Sequence, residues 1–181
     1  MGKRSAYMVM ALKEMFGGTP LKGAEIGVFQ GVHAEIILQT LNMELLYLVD
    51  PYDVRDPDFA GHSKPLVEGA REIAERRLAP YRERLIWLFV KSDVAVGFID
   101  EGELDFVYID GNHSYGYVAR DIKNYLPLIK VGGWLGGHDY VMRSSPLIEV
   151  KRAVDDFVAE SGFVLNISSG KFPEWWVRKV C

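Results

Sequence analysis

Leu104-Asp-Phe-Val-Tyr-Ile-Asp110-Gly-Asn112-His113-Ser114-Tyr115, followed downstream by Gly132-Gly-Trp-Leu-Gly-Gly-His138-Asp139-Tyr140, is the part of the chain whose reading decides the fold. Each block is an apolar run of strand length that breaks off into polar, titratable residues. In an open parallel sheet the carboxyl ends of the strands border the crevice where ligands bind. The pattern therefore directs Asp110, Asn112, His113, His138 and Asp139 towards one site, and two of the chain's four histidines are among them.

Working outward, similar apolar runs occur at 24–29, 45–49 and 85–90 as well as at 104–109 and at Trp134-Leu135 with its glycines. Near-continuous apolar runs, rather than strict alternation, are what strands covered on both faces require. Helical patterns separate them at 32–42, 65–79, 93–100, 115–126 and 146–160, and a leading helix over 4–16 is stopped by Gly17-Gly18. This alternation predicts a doubly wound α/β fold with helices on both faces of a mostly parallel sheet. At the end of the chain the rhythm breaks. Segments 163–167 and 175–180 are strand-like, and the short turn between them suits an antiparallel hairpin rather than a parallel crossover. The one long irregular segment, 51–63, is read as an active-site loop, with His62 in it as a solvated side chain.

A length of 181 residues, 49% of them apolar, predicts a single domain with one well-buried core. The net charge of -4, with both signs interspersed, offers no basic field for nucleic acid or an anionic membrane, so a small-molecule partner is expected. No apolar run is long enough to span a bilayer, and Met1-Gly-Lys-Arg-Ser5 has no signal-peptide core. The single cysteine, Cys181, excludes an internal disulfide framework. A cytoplasmic location is the expectation.

Three further strand ends carry candidate residues. Glu25-Ile-Gly27-Val-Phe-Gln-Gly31 joins the first strand to the first crossover helix, where glycines let a ligand approach the backbone and a carboxylate suits an amine-bearing ligand. The bland reading is a tight turn that binds nothing. Glu25 stands where the dinucleotide fingerprint has its first glycine, which argues against a nicotinamide-dependent dehydrogenase. Asp50 ends the second strand at the spacing from the glycines that lets an acid take two ribose hydroxyls. Ser92 follows the third strand, where it can meet an adenine edge or simply cap a helix. The four tryptophans read as sheet-packing residues and His33 as structural, while Tyr140 is placed to line an acceptor pocket.

Together these residues resemble the class I S-adenosylmethionine-dependent methyltransferases, over essentially the whole chain. The resemblance implies a Rossmann-like, doubly wound seven-stranded sheet, mostly parallel with a C-terminal antiparallel hairpin. It also implies S-adenosylmethionine as methyl donor, held at Glu25, Gly27, Gly31, Asp50, Ser92 and Asp110. Ile109-Asp110-Gly-Asn-His113-Ser-Tyr115, with Pro127-Leu-Ile-Lys-Val-Gly-Gly133 and His138-Asp139-Tyr140, is similar to the branch that contains metal-dependent sugar O-methyltransferases. That branch implies a divalent ion, magnesium or manganese, on Asp110, His138 and Asp139.

Two departures bear on the chemistry. Asn112 stands where the branch has a second acid used as a base, which leaves His113 as the candidate base beside Asp110. His138 stands where the branch has an acid, and imidazole favours a softer ion than magnesium. The resulting expectation is methyl transfer to an oxygen of a small acceptor, such as a sugar hydroxyl. Metal-free transfer and a binding module without turnover are the alternatives. The leading helix, the 51–63 loop and a neighbouring subunit of a homo-oligomer are the three candidate roofs of the pocket.

Overall fold

A computed structural model of the chain describes residues 6–53, 69–141 and 149–180. Seven strands form one sheet: β1 (Leu21–Ile26), β2 (Met43–Val49), β3 (Leu85–Leu88), β4 (Leu104–Ile109), β5 (Ile129–Gly137), β6 (Asn166–Ile167) and β7 (Trp175–Arg178). Their order is β3-β2-β1-β4-β5-β7-β6. All pairs from β3 to β5 are parallel, whereas β7 runs antiparallel to both β5 and β6. The helices are α1 (Tyr7–Phe16), α2 (Val32–Thr40), α3 (Ala70–Leu78), α4 (Ser92–Ala95), α5 (Tyr115–Tyr125) and α6 (Val150–Ser161).

The strand side chains sort by parity onto two faces, as the period of two requires. On one face Ala24, Ile26, Tyr47, Val49, Val107 and Ile109 pack with Ala95 of α4, Val118 and Ile122 of α5 and Val154 of α6. On the other, Leu46, Leu48, Phe106 and Tyr108 pack with Met8 and Leu12 of α1, Ile37 of α2 and Leu78 of α3. The doubly wound, seven-stranded fold expected from the sequence is the fold observed. From β1 the chain winds outward through β2 to β3, then returns to place β4 on the other side of β1. This reversal is the topological switch point, where the connections leave opposite faces and open a crevice above β1 and β4.

Several boundaries shift. β1 starts at Leu21 instead of residue 24, because the N–H of Lys22 is taken by Asp105 Oδ2 at 2.8 Å and the polar residue is tolerated. β5 runs over Ile129–Gly137, longer than Trp134-Leu135 with its flanking glycines, and those glycines are packing requirements: a Cβ on Gly137 would lie 2.2 Å from the carbonyl oxygen of Ile109. The helix expected over 93–100 is the single turn α4 followed by a 3₁₀ turn, Val96–Phe98. The hairpin forms, but β6 keeps only Asn166–Ile167 of its expected five residues. Most of the 51–63 loop, with His62, lies outside the described residues, as does Cys181.

α1 is part of the core rather than an appended arm. Met8, Val9 and Leu12 are buried, and the N–H of Met8, an unpaired donor of the first helical turn, is bonded to Glu174 Oε2 at 2.7 Å. Of the candidate roofs, this helix is therefore committed to a sheet face.

Candidate active site

Four backbone hydrogen bonds carry the parallel ladder one step beyond the strands. Asp50 N–H bonds Leu88 O, Gly27 N–H bonds Val49 O, Asp110 N–H bonds Ile26 O and His138 N–H bonds Ile109 O, at 3.2, 2.9, 2.7 and 3.1 Å. Gly27, Asp50, Asp110 and His138 thus stand in one layer at the mouth of the crevice. Regular strand register, not loop folding, brings these candidates together.

The glycine turn after β1 is tightly determined. Gly27 has φ +88°, and a Cβ there would sit 2.2 Å from the carbonyl oxygen of Asp110. Its glycine is thus required by contact between neighbouring strand ends, a reason the sequence reading did not include. Gly31, at φ +71°, precedes α2 with Leu78 Cδ1 3.1 Å from its would-be Cβ. Between them Phe29 takes φ 50°, a region that costs a bulky residue energy unless its surroundings impose it. Asp50 does so: its Oδ2 accepts the N–H groups of Val28 and Phe29 at 3.0 and 2.8 Å, and its Oδ1 that of Tyr52 at 2.9 Å. Tyr52 OH donates back to Phe29 O at 2.8 Å. Burial pushes the Asp50 carboxyl up, against the lowering effect of these N–H donors.

Glu25 is buried beneath this turn, with Oε1 2.9 Å from Nδ1 of the equally buried His33. The His33 ring stacks on Tyr108 with centroids 3.9 Å apart, which fits its structural reading.

At the β4 and β5 ends, Asp110, His113 and Asp139 converge. One ligand atom from each lies within 4.8 Å of the others. His113 Nε2 is 3.3 Å from Asp139 Oδ2 and 3.5 Å from Asp110 Oδ1. Burial opposes its charge, but the hydrogen bonds and charges of the two carboxylates outweigh burial and raise its pKa to about 9. Burial would likewise raise Asp139, yet His113 and His138 hold it well below the usual carboxylate range. His138 stands aside from the trio, its Nδ1 3.1 Å from Asp139 Oδ1 and 3.9 Å from Asp110 Oδ1. Asp139 has φ 55°, left-handed backbone that Asp tolerates better than most residues.

The His113 loop is pinned by contacts that the sequence reading did not include. Asn112 Oδ1 accepts the N–H and the hydroxyl of Ser114 at 2.9 and 2.8 Å, an Asx turn that leads into α5. Glu149, before α6, donates its N–H to His113 O at 2.9 Å and accepts the N–H of Tyr115 at 3.1 Å. The Asx signal was visible in Asn112-His-Ser114, whereas the Glu149 contact spans distant sequence and left no local trace.

Two expectations are corrected. Ser92 does not cap a helix with its side chain: its hydroxyl donates to Asp121 Oδ1 at 2.6 Å. Tyr140 points into the core instead of an acceptor pocket, with its hydroxyl on Asp155 Oδ1 at 2.5 Å. At the β3 rim the structure adds an aromatic wall, with Arg71 3.7 Å above the Phe89 ring and Tyr52 and Trp87 6.2 and 5.5 Å from it. The tryptophans are sheet-packing residues: Trp175 is fully buried, and Trp134 and Trp176 stack at 6.1 Å. No helix among the described residues is long and apolar enough to cross a membrane.

Comparison with known proteins gives this architecture a family. No curated protein sequence matches the chain. Among solved structures, an O-methyltransferase from Bacillus cereus in complex with S-adenosylhomocysteine superposes with a TM-score of 0.69 at 14% identity, covering 99% of this chain and 84% of that one. The O-methyltransferase TomG from Streptomyces achromogenes, involved in tomaymycin synthesis and bound to S-adenosylmethionine, gives 0.68 at 14%, over 97% and 81%. An rRNA methylase from Streptococcus thermophilus gives 0.67 at 14%, over 100% and 99%. At such identities the likeness is one of fold. A family model described as a methyltransferase domain matches residues 24–140, so the chain belongs to that family and is a class I S-adenosylmethionine-dependent methyltransferase.

Proposed function

We propose that the protein transfers the methyl group to an oxygen of a small acceptor, such as a sugar hydroxyl, in a site that also holds a divalent ion. The observation that carries this reading is the convergence of Asp110, His113 and Asp139 in the same crevice as the glycine turn and Asp50. The donor set fits both groups. Carboxylates at Asp50 and Asp110, backed by Phe29 and Tyr52, suit a ligand that carries ribose hydroxyls and positive charge. Two carboxylates and one imidazole suit manganese, which takes a nitrogen ligand more readily than magnesium does.

The methyl group arrives on a sulfonium, an activated leaving group, so the residues at the glycine turn, Asp50 and Ser92 chiefly bind and align the donor. A divalent ion on Asp110, His113 and Asp139 would supply Lewis acidity that lowers the pKa of an acceptor hydroxyl. The two histidines exchange the roles their sequence positions suggest. His113 has its Nε2 between both carboxylates, a ligand position, whereas His138 stands outside the trio with its Nδ1 3.1 Å from Asp139 Oδ1, beside the metal position, and is assigned the proton-accepting role. Asn112, an amide that does not accept a proton at neutral pH, instead shapes the loop through its Oδ1, which takes the Ser114 N–H and hydroxyl.

The net charge of -4 favours a small neutral or cationic acceptor over RNA. The test is methyl transfer from labelled S-adenosylmethionine to a panel of sugars, phenols and rRNA, with and without chelator. Labelled sugar or phenol, abolished by chelator and restored by manganese, is expected. Labelled rRNA would overturn the acceptor class, and turnover indifferent to chelator would overturn the metal.

A further inference from the structure

The carboxylate of Asp121 is 2% exposed and has no part in the chemistry above. It lies on α5, and its Oδ1 accepts the hydroxyl of Ser92 at 2.6 Å. One turn on, Tyr125 OH donates to the carbonyl oxygen of the same Ser92 at 2.9 Å. A third tie joins the same elements, Arg120 Nη1 to Asp93 Oδ2 at 3.6 Å. These contacts hold a segment that cannot hold itself. α4 is a single turn of four residues without a side-chain cap, and one turn of helix gains too few hydrogen bonds to offset the entropy of ordering it.

The position of that segment gives the clamp a consequence. Leu88, the end of β3, accepts the N–H of Asp50 in the layer of strand ends, and only Phe89-Val90-Lys91 separate it from Ser92, which places the turn next to that layer. A rim segment of main chain and hydroxyl groups can read the edge of a purine only if it is fixed before the ligand arrives, because ordering it on binding would subtract from affinity.

We propose that Asp121 and Tyr125 are positioning residues that preorganise the Lys91-Ser92-Asp93 turn as the recognition edge for the purine of the methyl donor. The inference rests on the reading that the nucleoside occupies this crevice, and it assigns the two residues a role in donor affinity and none in chemistry. Asp121 acts through Ser92 by accepting one hydrogen bond, so any acceptor of the same shape can replace it.

The experiment compares the wild type with Asp121→Ala, Asp121→Asn and Tyr125→Phe by calorimetry with S-adenosylhomocysteine and by steady-state kinetics, with thermal melts to establish folding. Asp121→Ala is expected to raise the Kd for S-adenosylhomocysteine and the KM for S-adenosylmethionine by about tenfold, with kcat within about twofold, and Tyr125→Phe to do so by about threefold. Asp121→Asn is expected to stay near the wild type, since its amide oxygen still accepts the Ser92 hydroxyl. In a Ser92→Ala background, where the hydroxyl that Asp121 accepts is absent, adding Asp121→Ala should weaken binding by much less than the tenfold it costs in the wild type. Unchanged affinity in folded Asp121→Ala or Tyr125→Phe would overturn the clamp while leaving the nucleoside site intact, as would a loss confined to kcat. If Asp121→Ala does not fold, Tyr125→Phe alone decides by the same criterion. A wild type that fails to bind S-adenosylhomocysteine would instead overturn the nucleoside reading itself.

Discussion

Asp50 Oδ2 accepts the backbone N–H of Phe29 at 2.8 Å and so holds an aromatic residue in left-handed backbone, φ 50°, at the centre of the turn after β1. The acid at the end of β2 therefore builds the neighbouring turn as well as facing the crevice. Both functions are lost in Asp50→Ala, which removes the two carboxylate oxygens that accept three backbone N–H groups. Urea denaturation should show a loss of about 2 to 4 kcal/mol, from hydrogen bonds to a charged group and from strain no longer imposed. S-adenosylhomocysteine binding should weaken by about tenfold or more in the fraction that folds. Wild-type stability in this variant would mean that the turn is held by other contacts.

Gly27→Ala tests whether that glycine serves the ligand or the fold. A Cβ would meet the Asp110 carbonyl at 2.2 Å with φ at +88°, so even one methyl group forces the β1 and β4 ends apart. A loss of stability of more than about 3 kcal/mol is expected, well above the usual effect of a point substitution. A stable Gly27→Ala variant with impaired ligand binding would instead assign the glycine to ligand approach.

What the sequence made legible was whatever depends on local pattern. The apolar runs located the buried strands, and the polar breaks after Ile109 and Gly137 located the site, because strand ends in a parallel sheet share one edge. Contacts between distant segments were not legible. Nothing near Ser92 announces Asp121, and nothing near Gly27 announces its close approach to the Asp110 carbonyl. Tyr140 misled for the same reason: it follows Asp139 directly, but the left-handed backbone at Asp139 sits between site and core, and the tyrosine falls on the core side.

Asp121 has a measurable pH signature. Burial raises its carboxyl to about 6, beyond what the Ser92 hydrogen bond and Arg120 offset, while an unfolded chain keeps the ordinary value of 3.8. The folded state then binds the proton more tightly. Its stability is greatest, as far as this group is concerned, below the unfolded pKa, falls as pH rises from about 4 to about 6, and is level above. Asp121→Asn removes this dependence. The stability difference between variant and wild type should therefore shift in the variant's favour by up to about 3 kcal/mol between pH 4 and pH 7, as followed by urea denaturation. A pH-independent difference would place the titration of Asp121 at its ordinary value.

The histidines decide the metal assignment. If His113 is a ligand with Asp110 and Asp139, His113→Ala should weaken manganese binding, measured by calorimetry, by about 10 to 100-fold or more, since even the outer partners of a ligand are worth that much. His138→Ala should leave manganese affinity within a few-fold and lower kcat by about 100 to 10,000-fold, the range for a lost general base. His113→Asp replaces the imidazole by a hard oxygen donor at the same corner of the trio, and should move the preference from manganese towards magnesium. The opposite pattern, with metal affinity lost in His138→Ala and only rate lost in His113→Ala, would return the ligand role to His138. The 3.3 and 3.5 Å approaches of His113 to both carboxylates, against 3.9 Å from His138 to Asp110, are why the first pattern is expected.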